Sequence, residues 1–227
     1  MHLSAGDYQA ILLTIKLASV VTFILLLLAT PLAWWLARTH SKSKSLISAI
    51  VALPLVLPPS VLGFYFLLTM GPNGPIGKLF HQLGWQALPF TFWGLVVASI
   101  IYSLPFMVQP LQNAFEAVSK NLLDTAATLG ASATHIFFTV TVPLSWSGFL
   151  TALILTFVHT IGEFGVVLMI GGNIPGITRV ASVQIYDHVE ALEYAQAHAL
   201  SAVMLVFSFV VLLFIYSLRS ANKNIIE

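Results

Sequence analysis

Five apolar runs, each long enough to cross a lipid bilayer, dominate this chain of 227 residues. A transmembrane helix needs about 20 apolar residues to cross a hydrocarbon core roughly 30 Å thick. The runs do not alternate between apolar and polar residues, as the strands of a membrane barrel do. The sequence therefore predicts an all-α integral membrane protein with about five transmembrane helices, over Ala10–Ala37, Leu46–Met70, Phe90–Phe115, Ser147–Ile170 and Ala197–Ser217.

Charged residues are too scarce to cover the surface of a soluble protein. They make up 7% of the chain, whereas about 25% is usual for a soluble domain. Membrane lipid is therefore the expected environment. The net charge of +1 gives no basic surface for nucleic acid, and the absence of cysteine excludes disulfides and thiolate metal sites. No composition shift marks a second domain, so residues 1–227 are interpreted as a single transmembrane domain.

Lysine and arginine gather in alternate loops, and this pattern sets the expected orientation. Cytoplasmic loops carry more Lys and Arg than external loops do. The second and fourth loops hold one such residue each, Lys78 and Arg179. We therefore expect the N-terminus outside and the C-terminus in the cytoplasm, because the first loop, the third loop and the tail hold Arg38, Lys42, Lys44, Lys120, Arg219 and Lys223.

The third loop, residues 116–145, carries the most informative pattern. Good helix formers follow Asn121, a candidate N-cap, and Gly130 then allows a tight bend. A second short helix is expected over residues 131–138, with Ile136, Phe137 and Phe138 exposed, before Pro143 starts the next span. A short helix with exposed apolar side chains suits insertion into a groove of a partner protein.

The same loop resembles the EAA signature of permease subunits of ATP-binding cassette (ABC) importers. It reads Asp124-Thr125-Ala126, then Gly130, and nine residues separate Gly130 from Val140-Thr141-Val142-Pro143. The segments PLVLPPSVLG at 54–63, GEFG at 162–165, GGNIPG at 171–176 and IYDH at 185–188 resemble molybdate permease subunits. The resemblance covers nearly the whole chain and lies in the molybdate, tungstate and sulfate branch of oxyanion importers.

The resemblance implies the type I (MetI-like) ABC importer fold, in a bacterial cytoplasmic (inner) membrane. It also implies a homodimer of this chain, two cytoplasmic ABC ATPase subunits that bind ATP and Mg²⁺, and a periplasmic oxyanion-binding protein. The chain itself would be a non-catalytic subunit without a cofactor. Molybdate is the expected cargo, with tungstate or sulfate/thiosulfate as alternatives. The residues that would couple it to the ATPase are Asp124, Thr125, Ala126, Gly130, Ala131, Ser132, His135, Ile136, Phe137 and Pro143.

Six other residues are candidates for the translocation path or its gate. Pro58 and Pro59 interrupt the second run, and a broken helix in a membrane is tolerated where it lines a cavity or is buried in protein. His159 and Glu163 are four residues apart, and ionisable groups inside a membrane usually face protein or water. The remaining candidates are Gly171 and Asn173, in a loop that serves either helix packing or contact with an anion. No metal site is expected.

Two other classes of function stay open at this stage. An ATPase-independent secondary anion transporter would need ion coupling within the spans, where ionisable residues are few. A membrane-embedded hydrolase would need a nucleophile or a metal, and the His159/Glu163 pair offers the sole hint of one.

Overall fold

The computed structural model describes the backbone of residues 3–223 and the side chains of residues 3–213. This part of the chain is mainly helical and contains no strand. A five-residue π-helical turn, Phe137–Thr141, separates α7 from α8. The helices are α1 (Ala5–Arg38), α2 (Ser43–Val56), α3 (Pro59–Met70), α4 (Pro75–Gln82), α5 (Phe92–Ala117), α6 (Lys120–Thr128), α7 (Ala133–Ile136), α8 (Val142–Leu144), α9 (Trp146–Ile161), α10 (Gly165–Gly171), α11 (Ala181–Glu190) and α12 (Tyr194–Lys223).

Three continuous helices are long and apolar enough to cross a membrane: α1, α5 and α12 over its residues Tyr194–Leu213. They match the first, third and fifth predicted runs. The core forms where α1, α5 and α9 pack together. Side chains such as Leu17, Val21 and Leu25 repeat along one face of α1, at the spacing of a helix side that packs against protein.

The second predicted run is two helices, so the expectation of one crossing over Leu46–Met70 is too simple. α2 ends at Val56 and α3 starts at Pro59. The direction of the chain changes by 111° between α2 and the segment Pro59–Gln82. Pro58 and Pro59 explain the break, because a proline has no N–H to donate and disfavours a helical residue before it. Pro59 then occupies the first turn of α3, where the missing N–H costs little.

The fourth predicted run, Ser147–Ile170, is also wrong as a continuous helix. α9 ends at Ile161 and the short α10 begins only at Gly165. A further bend of 74° separates the segment before α9 from α9 itself. The sequence did not reveal this break, because the serines that hold Glu163 in a non-helical course come from other elements.

Candidate functional sites: an exposed loop and a polar cavity

The predicted coupling loop projects from the bundle as two short helices. None of the residues of α6 is buried, and Asp124 and Thr125 are exposed. Leu129, just beyond α6, is 83% exposed. The N-cap of α6 is Ser119 and not Asn121 as predicted, because the helix starts two residues earlier than expected, at Lys120. The loop therefore presents an exposed helix with an apolar residue just beyond its end.

Gly130 makes the turn between the two helices of the loop. Its φ of +86° lies in the left-handed region that a Cβ disfavours. The N–H of Gly130 donates to the carbonyl of Ala127 at 3.0 Å, and the N–H of Ala131 donates to that of Ala126 at 3.1 Å. These bonds close the C-terminal end of α6, as glycine-containing helix ends commonly do. The predicted bend at Gly130 is therefore present.

α7 turns most of its apolar surface inward. The Ser132 hydroxyl caps it by accepting the N–H of His135 at 3.2 Å, and both residues are exposed. Ile136 is only 9% exposed, whereas Phe138 is 66% exposed. The prediction that Ile136, Phe137 and Phe138 are all exposed is thus correct for Phe138 alone, because the π-helical turn rotates successive side chains to different sides.

Phe137 joins the loop to the ends of two long helices. Its ring lies 5.4 Å from that of Trp34 on α1 and 6.0 Å from that of Phe115 on α5. Such edge contacts add to the stability gained from burial. Pro143 follows within α8 and precedes the 74° bend, so it does not start the next span as predicted; α9 starts at Trp146.

Arg38 binds the other end of the loop. Its guanidinium donates to the carbonyl of Phe115 at 2.7 Å and to that of Val118 at 3.1 Å, at the C-terminal end of α5. The guanidinium also lies 4.9 Å from the centre of the Trp34 ring. From the sequence, Arg38 served only to predict the orientation of the chain. Its position near a helix end was the available signal for this contact, because a cation is favourable beside the C-terminal end of a helix. The end of α1 therefore contacts both sides of the loop.

A cavity of about 520 Å³ lies where both helix breaks meet α5. We call it the Glu163 cavity; its lining includes Pro59, Ser60, Tyr102, His159, Glu163 and Gly165. Three of the predicted path residues, Pro59, His159 and Glu163, therefore come together here. Pro58 precedes Pro59 as the N-cap of α3.

Glu163 is held within the protein by hydroxyl groups. Ser99 donates to one carboxylate oxygen at 2.5 Å and Ser103 to the other at 2.8 Å, and the side chain is 1% exposed. The Ser182 hydroxyl donates to the Glu163 carbonyl at 2.5 Å. The Ser182 bond satisfies a backbone carbonyl just beyond the end of α9. Glu163 lies outside α9, so the prediction that it shares a helix face with His159 is wrong. Little of the carboxylate surface is therefore open to the cavity.

The His159 ring is oriented by Ser103 and stacks on an aromatic ring. Nδ1 lies 2.9 Å from the Ser103 hydroxyl and 3.7 Å from Glu163 Oε1. Since the single Ser103 proton goes to the carboxylate, Nδ1–H is the donor to Ser103, and Nε2 is an acceptor. The ring of Phe106 stacks on His159 with centroids 3.8 Å apart.

This cluster does not have the geometry of a hydrolase. In a Ser-His-acid triad, the nucleophile and the carboxylate bond opposite nitrogens of the imidazole. Here Ser103 and Glu163 both face Nδ1, Ser103 bonds the carboxylate directly, and Ser103 is fully buried. The described residues also contain no group of three His, Cys, Asp or Glu side chains that could hold a metal ion. The hydrolase hypothesis has no support in this arrangement.

Gly171 and Asn173 do not line the Glu163 cavity. A Cβ on Gly171 would come within 2.5 Å of Leu95, so this glycine permits close packing of α10 against α5. The Asn173 amide donates to Asp187 at 2.8 Å and joins the loop to α11. Both positions therefore have structural roles outside the cavity.

A family model described as a binding-protein-dependent transport system inner membrane component matches residues 29–225. This chain belongs to that family. The molybdenum transport system permease protein ModB of Azotobacter vinelandii is 64% identical to it over 219 residues, or 96% of this chain and 97% of that protein. The protein of the same name from Escherichia coli is 36% identical over 84% of this chain and 83% of its own length.

The fold is that of ABC importer permeases. A chain in the crystal structure of a bacterial alginate ABC transporter, in complex with an alginate pentasaccharide-bound periplasmic protein, superposes with a TM-score of 0.78 at 18% identity. The match covers 93% of this chain and 77% of that chain. This likeness confirms the predicted all-α importer permease fold.

Proposed function

We propose that this chain is the permease subunit of an ATP-driven importer that carries molybdate across a bacterial cytoplasmic membrane. The observation that carries the proposal is the 64% identity, over 96% of the chain, with a permease named for molybdenum transport. Two copies of the chain would form the pathway, two ABC ATPase subunits would bind ATP and Mg²⁺, and a periplasmic protein would deliver the anion. The chain would bind no cofactor and catalyse no reaction.

The contacts of basic residues support the proposed orientation. Arg38 and Lys44 both contact the C-terminal end of α5, Lys44 through Glu116 at 3.3 Å. This end also carries the exposed loop. Because basic residues mark the cytoplasmic side, the loop faces the cytoplasm and the start of α1 faces outward. The C-terminus is then cytoplasmic; Arg219 and Lys223, which support this, have side chains outside the described residues.

The exposed loop is the part of the chain that an ATPase would move. A groove in the ATPase would receive the loop around Asp124, Leu129 and Phe138 and would follow closure on ATP. The movement would pass to α1 and α5 through Phe137 and Arg38, which contact the ends of both helices. The breaks at Pro58 and Gly162 would absorb the change in direction, as hinges at helix ends do.

The anion is selected mainly by the periplasmic protein in this account. Molybdate, tungstate and sulfate are all tetrahedral dianions, and the Glu163 cavity holds its one carboxylate among serine hydroxyls. Sulfate/thiosulfate and tungstate are therefore the alternative cargoes of the same architecture.

Uptake of labelled molybdate into proteoliposomes tests the function. The vesicles hold this chain with its co-purifying ATPase, and loaded binding protein is added outside. We expect uptake to require ATP, the ATPase and the binding protein. We also expect sulfate to inhibit it only weakly. Uptake by this chain alone would instead identify a secondary carrier. Stronger competition by sulfate or tungstate than by unlabelled molybdate would change the cargo and leave the importer class intact.

A further inference from the structure

A second cavity follows the Glu163 cavity along the groove between α5 and α9. It measures about 490 Å³ and lies nearer to the exposed loop. Its lining includes Gln109 and Asn113 from α5 and Ser147 and Thr151 from α9. We call it the Gln109 cavity. None of its lining residues carries a charge.

A single aromatic contact separates the two cavities. Phe106 borders the Gln109 cavity and His159 borders the Glu163 cavity. Their rings stack with centroids 3.8 Å apart, and the ring of Tyr102 lies 4.9 Å from that of His159. Ser103 bonds the His159 ring at Nδ1. The stacked pair therefore lies between the residues that line the two cavities.

The amides of the Gln109 cavity are placed where lipid would be a poor neighbour. Gln109 and Asn113 are four residues apart, so they share one face of α5, and both are exposed. Gln109 lies roughly 12 Å from the end of α5 at Ala117, at 1.5 Å per residue. Among residues 3–213 the structure records no hydrogen bond from either amide. Unpaired amides in hydrocarbon are costly, so this face must meet water, a ligand or protein.

We propose that the Gln109 cavity is a transient binding site for a tetrahedral oxyanion in transit, with the Gln109 and Asn113 amides and the Ser147 hydroxyl as its hydrogen-bond donors. The inference rests on the proposed import function and names the chemistry of its path. Each amide offers two N–H donors, and a tetrahedral oxyanion offers four acceptor oxygens. The Phe106–His159 stack closes the site toward the outside.

Neutral donors suit passage better than a fixed cation would. A conducting site must bind well enough for the ion to enter and weakly enough for it to leave. A lysine or arginine in the lining would hold a dianion strongly, and a bare carboxylate would repel it. The Gln109 cavity has neither, and the carboxylate of the neighbouring cavity is 1% exposed. The two cavities thus offer hydrogen bonds to the anion and no cation that would hold it strongly.

Cysteine labelling tests whether water fills this site. The chain has no cysteine, so Gln109→Cys and Asn113→Cys each introduce one thiol in the complete transporter. Leu205→Cys, at a 69% exposed apolar position of α12, is the matched control. A charged methanethiosulfonate reagent reacts with the hydrated thiolate. We expect labelling of this chain, read by mass spectrometry, to be at least about tenfold faster at positions 109 and 113 than at 205, and slower when molybdate is present. Equal rates at the three positions would overturn the proposal.

Substitutions of Gln109 test whether the anion uses the site. Gln109→Glu keeps the shape and adds a negative charge, and Gln109→Met keeps the length and removes the donors. We expect uptake, normalised to assembled transporter, to fall at least about tenfold for Glu and about two- to threefold for Met. Uptake by Gln109→Glu equal to that of the unmodified chain would overturn the proposal. If the unmodified transporter takes up no molybdate, the proposed function fails, and the labelling rates still show whether the cavity is hydrated.

Discussion

At the scale of single residues, Arg38 connects two of the long helices. It is the last residue of α1, and its guanidinium bonds two carbonyls at the C-terminal end of α5. Such charge-assisted bonds are stronger than neutral ones. One basic side chain therefore joins α1 and α5 where the exposed loop begins.

We expect Arg38→Ala to destabilise the protein by about 1–3 kcal/mol, because both α5 carbonyls lose their charged donor. Lys42→Ala removes a charge at an exposed position of the loop that follows α1 and is the control. Thermal unfolding in detergent measures both variants. Equal midpoints for Arg38→Ala and Lys42→Ala would mean that the Arg38 contacts contribute nothing.

His188 makes stability depend on pH at the opposite end of the molecule. Its Nε2 lies 2.8 Å from Asp7 of α1, and its Nδ1 lies 2.8 Å from Glu193. Burial opposes the charged ring, but the hydrogen bonds to Asp7 and Glu193 outweigh it and raise the pKa of His188 above 6.5. On α11, the carboxylate of Asp187 pairs with Arg179.

The raised pKa fixes the sign of the expected pH effect. The stabilisation by His188 is fully present below the unfolded pKa of 6.5 and is lost as pH rises through the higher folded value. We expect His188→Gln to lower the unfolding temperature at pH 6 more than at pH 9. His198→Gln, at an exposed position of α12, is the control. A His188→Gln effect that is the same at both pH values would contradict the assignment.

At the scale of elements, sequence reasoning succeeded where the residue type dictates the backbone. Pro58 and Pro59 announce the break in the second run, and Gly130 announces the turn of the loop. It failed at Ile161–Gly165, where the helix ends because Ser99, Ser103 and Ser182 bond Glu163 from other elements. Such partners are distant in sequence, so no local pattern reveals them.

The same limit applied to the aromatic pair of the loop, and it yields a matched test. Phe138 is exposed, whereas Phe137 packs against Trp34 and Phe115. We expect Phe138→Ala to weaken binding of the ATPase subunit by at least about tenfold with an unchanged unfolding temperature. Phe137→Ala is expected to lower the unfolding temperature, because its truncation leaves a cavity. Co-purification and thermal unfolding measure the two effects; the reverse assignment would contradict the loop geometry.

At the scale of the whole molecule, rigid and broken parts are separated. The helices α1, α5 and α9 form the packed core, and the breaks at Pro58 and Gly162 lie around the Glu163 cavity. The loop that leaves this core is joined to it by Arg38 and Phe137. We expect force from the ATPase to enter through this loop and to open the groove between α5 and α9.

Two glycines with similar backbone conformations allow the most direct test of this expectation. Gly130 in the loop and Gly84 after α4 have φ of +86° and +73°, and each N–H makes one backbone bond of 3.0 or 3.1 Å. A proline at either site removes that bond and cannot adopt the native φ. The measurement is ATP-driven molybdate uptake by Gly130→Pro and Gly84→Pro transporters, each normalised to folded protein. We expect uptake to be lost in Gly130→Pro and retained in Gly84→Pro. Equal uptake by the two variants would mean that the loop does not transmit force to the groove.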